Sequence, residues 1–325
     1  MKLLKLIPDN TNIRFLRWRV PFYSVSLLLM ALSVGLMFTK GLNLGVDFIG
    51  GQMIRATFQQ TPAAPVAELR ETVGKLGYGE PIIQQFGKPN EISIRMKLPE
   101  GSENDPGLAD AMARKIISTI QAEHKDVRID GIDSVSGKVS GELFSSGMLA
   151  LALASVAVAA YIWMRFEWQF GVGALFALVH DVTLTMGMFA LTQMEFDLNI
   201  VAALLTLIGY SLNDNIVVYD RVRENLKKYR RMPMPELLDL SVNETLSRTV
   251  VTSLSLLITL VALLLFGPDV IFGFTAAITL GIFVGTYSSI YMATPILIWL
   301  KVDSGSFVQQ ESEIDRQERL ARERS

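Results

Sequence analysis

The chain has 325 residues and no cysteine. That absence excludes disulfides, cysteine-ligated zinc, iron–sulfur clusters and thiol catalysis. Histidine is nearly absent as well. His124 and His180 are the two in the sequence, too few for a multi-histidine metal site, and no metal or other cofactor is expected. Charge is scarce: Asp, Glu, Lys and Arg make up 19% of the chain, where a water-soluble globular protein carries about 25%. The net charge of −2 leaves no basic excess to hold nucleic acid. The length would suit roughly two ordinary domains, but charge is missing in blocks rather than evenly, which argues against two soluble ones.

A bilayer-spanning helix needs about 20 mainly apolar residues, and six blocks meet that requirement. There are 20 uncharged residues between Arg19 and Lys40 and 22 between Glu142 and Arg165. The 27 between Glu167 and Glu195 contain one charge, Asp181, and the 22 between Asp197 and Asp220 contain one, Asp214. Another 20 separate Arg248 from Asp269, and 31 separate Asp269 from Lys301, so the last helix starts after a short loop. The expected organisation is a cytoplasmic N-terminus (1–19), spans at 20–39, 142–164, 169–190, 198–219, 247–267 and 272–300, an extramembrane domain at 40–141, a loop at 220–246 and a tail at 301–325. The loop holds an amphipathic helix over Met234 to Ser247, with Leu237, Leu238 and Leu240, which is expected at the membrane surface. The bulky segment before Lys40 argues for an uncleaved signal anchor. Lysine and arginine place both termini in the cytoplasm: five lie in the N-terminus, seven from Asp220 through Arg248 and five in the tail, with none in the loops around Thr192 to Asp197 and Gly267 to Phe272.

The first loop mixes both signs of charge and reads as a folded domain. Gln52 to Gln59 is strand-like, Thr61 to Tyr78 has a helical apolar face (Val66, Leu69, Val73, Leu76), and Pro81 to Phe86 is a short strand. Pro89-Asn90 predicts a turn, and Ile92, Ile94, Met96 and Leu98 alternate. Asp105-Pro106-Gly107 opens a helix bearing Leu108, Met112, Ile116 and Ile120, and Val127 and Ile129 begin a last strand. The order β-α-β-β-α-β is ferredoxin-like. Nothing in it looks catalytic, and His124 beside Lys125 reads as a solvated histidine at a helix end.

Ionisable residues inside spans are candidate functional sites. Asp214 lies in the polar cluster Tyr210-Ser211-Leu212-Asn213-Asp214-Asn215, about 9 Å inside if Asp220 marks the edge. Arg248, entering on the antiparallel neighbour, is expected at a similar depth. Such a pair either opens when Asp214 takes a proton or is a static ion pair; the residues alone leave both open. His180-Asp181, with Thr185 one turn on, is a second relay element or a packing pair, with Ser211 and Asn213 as further polar groups. A Ser211–His180 dyad is a weaker, enzymatic reading, since Leu212 stands where a glycine would follow such a serine. Gly273, Ala277, Gly281, Gly285, Ser289 and Ala293 recur every four residues, a row that lets helices approach closely.

Three stretches together resemble a known family. Gly41-Leu42-Asn43-Leu44-Gly45-Val46-Asp47-Phe48-Ile49-Gly50-Gly51 is similar to the segment that opens the periplasmic domain in the SecD/SecF family, with Ile49 where the family usually has Thr. Gly209 to Asn225 resembles its fourth-helix motif, and Asn243-Glu244-Thr245-Leu246-Ser247-Arg248-Thr249 the start of its fifth helix. The resemblance covers nearly the whole chain, and six spans with one modest first loop suit the SecF branch. It implies a membrane α-helical bundle, half of an RND-type 12-helix arrangement, with a periplasmic ferredoxin-like domain. It also implies a SecD partner, association with YajC and the SecYEG channel, and use of the proton-motive force on preproteins at the bacterial inner membrane. Its intramembrane Asp and Arg fall on Asp214 and Arg248, and its first-loop motif on Gly45, Asp47, Gly50 and Gly51. The alternative is half of an RND-type small-molecule exporter.

Overall fold

The structure, a computed structural model, describes residue 8 and residues 11–86, 88–97 and 106–302. The expected basic residues Lys2 and Lys5, the strand end at Leu98, the helix opening at Asp105, the side chain of Leu108 and the tail from residue 303 lie outside the described residues. A 3-10 turn (Phe15–Trp18) leads into α1 (Arg19–Thr39), followed by β1 (Asn43–Leu44), a one-turn helix α2 (Val46–Ile49) and β2 (Gly51–Phe58). The domain continues through α3 (Val66–Gly74), β3 (Ile82–Phe86), β4 (Lys88–Met96), α4 (Pro106–Glu123) and β5 (Val127–Val135). Next come α5 (Gly137–Arg165), α6 (Trp168–Thr192), β6 (Glu195–Phe196), α7 (Leu198–Lys228) and α8 (Met234–Phe266). The last helix is α9 (Phe272–Ser288), a π turn (Ser289–Ala293) and α10 (Thr294–Trp299). Among the described residues six helices are long and apolar enough to cross a membrane, one for each uncharged block.

The first-loop domain has the sheet order β3-β4-β2-β5, antiparallel throughout, the ferredoxin-like arrangement. Alternation along β4 puts Ile92 and Ile94 into a core with Leu69 and Val73 of α3 and Met112, Ile116 and Ile120 of α4. Three local expectations change. The first helix is shorter than Thr61 to Tyr78, because Pro65 stands at its N-cap and cannot be continued upstream as helix. Pro89 and Asn90 are not a turn but the opening residues of β4, where a missing N–H is tolerated. His124 is not solvated: its side chain is 16% exposed and packs edge-on against Phe58.

Among the spans, α6, α7 and α9 form the interior, while most of the apolar stretch of α5 is left unburied, Ile162 being an exception. The expected row of small residues packs against α7 and α6: a methyl at Gly281 would overlap Leu207, at Gly273 it would stand 3.2 Å from Ile200, and at Gly285 3.4 Å from Asp181. The π turn falls just before Pro295, which lacks the N–H and would crowd a regular preceding turn. Tyr23 and Tyr219 donate to the carbonyls of Met292 and Ala293 there, at 2.6 and 3.2 Å.

The separate surface helix expected before the fifth span does not form. Met234 to Ser247 is continuous with the span in α8, and α7 runs on past Asp220 to Lys228. Both extensions are held by packing rather than by an interface: Leu237 and Leu238 are buried, Arg221 pairs with Glu244 at 2.7 Å, and Asn225 donates to Ser241 at 3.0 Å. The N-terminal segment is strapped to the same stretch, since Asn243 both accepts from the Ile13 N–H and donates to its carbonyl, and Asp239 accepts from Leu16 N–H.

Candidate functional site

Helix α7 carries the sharpest residue. Asp214 is 2% exposed and its Oδ2 has no hydrogen-bond partner; the same holds for Asn215 Oδ1. Asp214 lies 14 residues before the end of α7 at Lys228, and Arg248 lies 14 residues after the start of α8 at Met234. The helices are antiparallel neighbours, so at 1.5 Å per residue both groups stand about 21 Å from the turn that joins them. They are level, as the sequence suggests. They are not joined: no ion pair links them among the described residues, and Arg248 is exposed, as is Asn213.

A second polar cluster meets α7 at Ser211, one turn before Asp214. Asp181 of α6 is fully buried. Its Oδ2 accepts from Ser211 of α7 at 2.6 Å and from Ser288 of α9 at 2.9 Å, and its Oδ1 is 2.9 Å from His180 Nδ1. His180 Nε2 is 2.8 Å from the Tyr287 hydroxyl, which is 3.3 Å from Ser26 Oγ of α1. Thr185 bonds the Asp181 carbonyl at 2.8 Å. The geometry thus gathers His180, Asp181, Ser211 and Thr185 and leaves Asn213 outside. It offers no Ser–His dyad, since the Ser211 hydroxyl is spent on Asp181 and both ring nitrogens of His180 are engaged elsewhere. A smaller chain, Tyr210–Ser253–Thr286 at 3.0 and 2.9 Å, ties α7, α8 and α9 one turn from Asp214. Sequence reasoning missed Tyr287, Ser288, Ser26, Ser253 and Thr286. Their signal, isolated hydroxyls in apolar helices, is shared by many residues whose hydroxyls merely bond back to their own helix.

The first-loop motif forms the joint between domain and spans. β1 pairs in parallel with β6, and Asp47 Oδ2 accepts from the Leu198 N–H at 3.0 Å, the first residue of α7. Asp197, the N-cap of α7, accepts from Ile200 N–H at 3.1 Å. Two carboxylates therefore sit at the positive end of the helix that carries Asp214. At Gly45 a Cβ would stand 2.9 Å from Glu195 Oε1 and 3.2 Å from Asp197 Cβ, so a side chain there would displace Glu195. Gly51 has φ +115°, and a Cβ there would collide with the Met96 carbonyl. Arg95, 3% exposed, donates to the Leu44 carbonyl and to Asn43 Oδ1 at 2.8 and 2.9 Å and lies 4.0 Å from Glu195. Burial pushes the Glu195 carboxyl above its usual range, outweighing the Arg95 charge, and pushes Asp197 up against its backbone hydrogen bond. In the domain, Glu68, Glu123 and His124 bring ligand-type atoms within 4.8 Å of one another; Glu123 also accepts from Thr72.

The family model described as "Protein export membrane protein SecD/SecF, C-terminal" matches residues 115–303, and the "SecD/SecF GG Motif" matches residues 35–62. The chain is 45% identical over 306 residues to the protein translocase subunit SecF of Cereibacter sphaeroides, covering 93% of this chain and 94% of that one. It is 43% identical to the SecF of Rhodobacter capsulatus, covering 92% of each. The crystal structure of SecDF, a translocon-associated membrane protein from Thermus thermophilus, overlays with a TM-score of 0.82 at 34% identity, covering 91% of this chain and 40% of that one. SecDF in a super-membrane-facing form overlays with a TM-score of 0.63 at 32% identity. The chain spans two fifths of those SecDF chains and nearly the full length of the SecF proteins, and it belongs to the SecD/SecF family of protein-export membrane proteins, on its SecF side.

Proposed function

We propose that the chain is the SecF-type half of a SecD–SecF pair that uses the proton-motive force to draw preproteins from the SecYEG channel, with YajC as a further associate. In this reading it is a transport subunit of the bacterial inner membrane rather than an enzyme, with both termini cytoplasmic and the first-loop domain periplasmic. The observation that carries it is Asp214: a buried carboxyl with an unpartnered oxygen, at mid-helix, level with an arginine it does not touch. An unpaired charge in a span is costly, so the ionised and protonated forms of such a group favour different surroundings. Arg248 and Asn213 are exposed at the same level, where lipid would surround them if the chain stood alone; a second bundle packed on this face supplies a polar setting. A proton crossing 100 mV yields about 2.3 kcal/mol, which shifts a two-state helix arrangement about 50-fold. Asp47 and Asp197 hold the other end of α7, so displacement of that helix acts on β1, α2 and, through Gly50-Gly51, on the sheet.

Asp214→Asn is expected to abolish proton-dependent export in vesicles while assembly with SecD, measured by co-purification, is kept. Unimpaired export overturns the reading. One observation favours the exporter alternative: a cavity of about 470 Å³ between the sheet and the α6–α7 and α8–α9 connections, lined by Arg55, Gln84, Asn199, Phe272 and Phe274 among others, is of small-ligand size. Drug sensitivity without a secretion defect on deletion of the chain would support that alternative.

A further inference from the structure

The cluster around Asp181 has a property that a static packing pair does not need. With Asp181 as a carboxylate, each close contact has one consistent polarity. Ser26 donates to the Tyr287 oxygen, Tyr287 to His180 Nε2, His180 Nδ1–H to Asp181 Oδ1, and Ser211 and Ser288 to Oδ2. When one proton enters at the Tyr287 oxygen, the hydroxyl proton already there passes to Nε2 and the Nδ1 proton passes to Asp181 Oδ1. The products are a neutral carboxyl and the other neutral tautomer of the imidazole. The three contacts along the relay survive with their direction reversed: Oδ1–H donates to Nδ1, Nε2–H to the phenol oxygen, and the phenol to Ser26, while Ser211 and Ser288 still donate to Oδ2. The same pairs of atoms stay hydrogen-bonded in both charge states, so the uptake of a proton breaks none of the contacts that hold α1, α6, α7 and α9 together.

We propose that Tyr287, His180 and Asp181 form a second proton-binding site, with Tyr287 as its entry and His180 as the bridge that passes the proton to Asp181. Tyr287 is half-buried whereas His180 and Asp181 are enclosed, which sets the direction of entry. The far end, Ser211, lies on α7 three residues before Asp214, on the same side of the helix. The other titratable groups on the membrane portions of the spans packed against α6 are Tyr23 on α1, Tyr161 near the end of α5, Tyr210, Asp214 and Tyr219 on α7, and Tyr291 in the π turn. No lysine or arginine pairs with the cluster among the described residues. The inference rests on the reading of the chain as proton-driven, and its first test, a spectroscopic one, does not depend on export.

The test is infrared difference spectroscopy of the SecD-bound protein between acidic and alkaline media, in an Asp214→Asn background that removes the competing carboxyl. A carboxyl band that appears on acidification is expected, lost in Asp181→Asn and displaced in its pH midpoint by His180→Gln and by Tyr287→Phe. Gln keeps a hydrogen-bonding side chain at 180 and Phe removes a single hydroxyl, so a purely structural role would lower thermal stability without moving the midpoint. A spectrum in which Asp181→Asn removes no titrating band overturns the proposal, as does a midpoint unmoved by both other variants. In the otherwise native chain, Tyr287→Phe is expected to shift the pH profile of export. Loss of export in Asp214→Asn with an unmoved profile in Tyr287→Phe would overturn the second site while sparing the primary reading, and full export in Asp214→Asn would overturn the primary reading alone.

Discussion

At the scale of single residues, the joint at the start of α7 has measurable consequences. Removing a side-chain cap from a helix start costs about 1 kcal/mol, so Asp47→Ala is expected to lower the protection of the Leu198 amide in hydrogen exchange roughly fivefold, with Asp47→Asn closer to the native chain. Glu195 gives the same joint a pH dependence. Burial raises its folded value above the unfolded one, so its protonated form favours the docked state. That contribution is fully present below the ordinary glutamate range and is lost as pH rises through the raised value. Protection at the Gly45 and Leu198 amides is therefore expected to increase as the medium is acidified toward the ordinary glutamate range, and Glu195→Gln is expected to flatten the dependence. A slope unchanged by that substitution would assign the effect to Asp197, which is raised by the same cause.

At the scale of elements, close approach decides which glycines matter. Gly187 of α6 faces Ser33 of α1 so closely that a methyl would overlap the serine side chain and stand 3.0 Å from its Cα, whereas Gly35 of α1 has nothing within 4 Å. Gly187→Ala is expected to destabilise by about 1–3 kcal/mol, the cost of forcing extra volume into a packed contact. Gly35→Ala should be neutral or slightly stabilising, because alanine favours helix over glycine. Thermal unfolding of both variants in detergent separates the two outcomes. The six spans were legible as uncharged blocks because lipid demands length and apolarity, both properties of a linear sequence. The continuity of α8 was not: Glu236, Asp239 and Glu244 break the apolar run and read as a surface helix. Their partners, Leu16 N–H for Asp239 and Arg221 for Glu244, lie more than 20 residues away. The two-residue strands β1 and β6 are likewise too short for any periodicity to reveal.

At the scale of the whole molecule, the described surface is unfinished. Exposed Asn213 and Arg248 stand near the middle of the long helices α7 and α8, and Gly209 beside them has open space where a side chain would be. Charged and amide side chains face lipid at that depth at high cost, whereas α5 exposes Leu149, Leu153 and Val156, which lipid suits. Because the chain has no native cysteine, Asn213→Cys can be paired with single cysteines on SecD. Cross-linking is expected there and not from Val156→Cys; the reverse pattern would relocate the interface.

The sequence by itself determined the number of long apolar helices, the strand and helix order of the first-loop domain, and which ionisable residues fall within those helices. Each follows from local composition or from a period of two or 3.6 residues, and each was readable without neighbours. The tertiary structure decided which of those residues meet. Asp181 gathers hydroxyls from α7 and α9 because the small residues of α9 let three helices close around it, while Asp214 and Arg248, level along antiparallel helices, remain apart. Asp47, an acid in a glycine-rich loop when read in sequence, becomes the cap of a helix that begins 151 residues later. Depth is a property of position along one helix, whereas pairing depends on how helices rotate and pack.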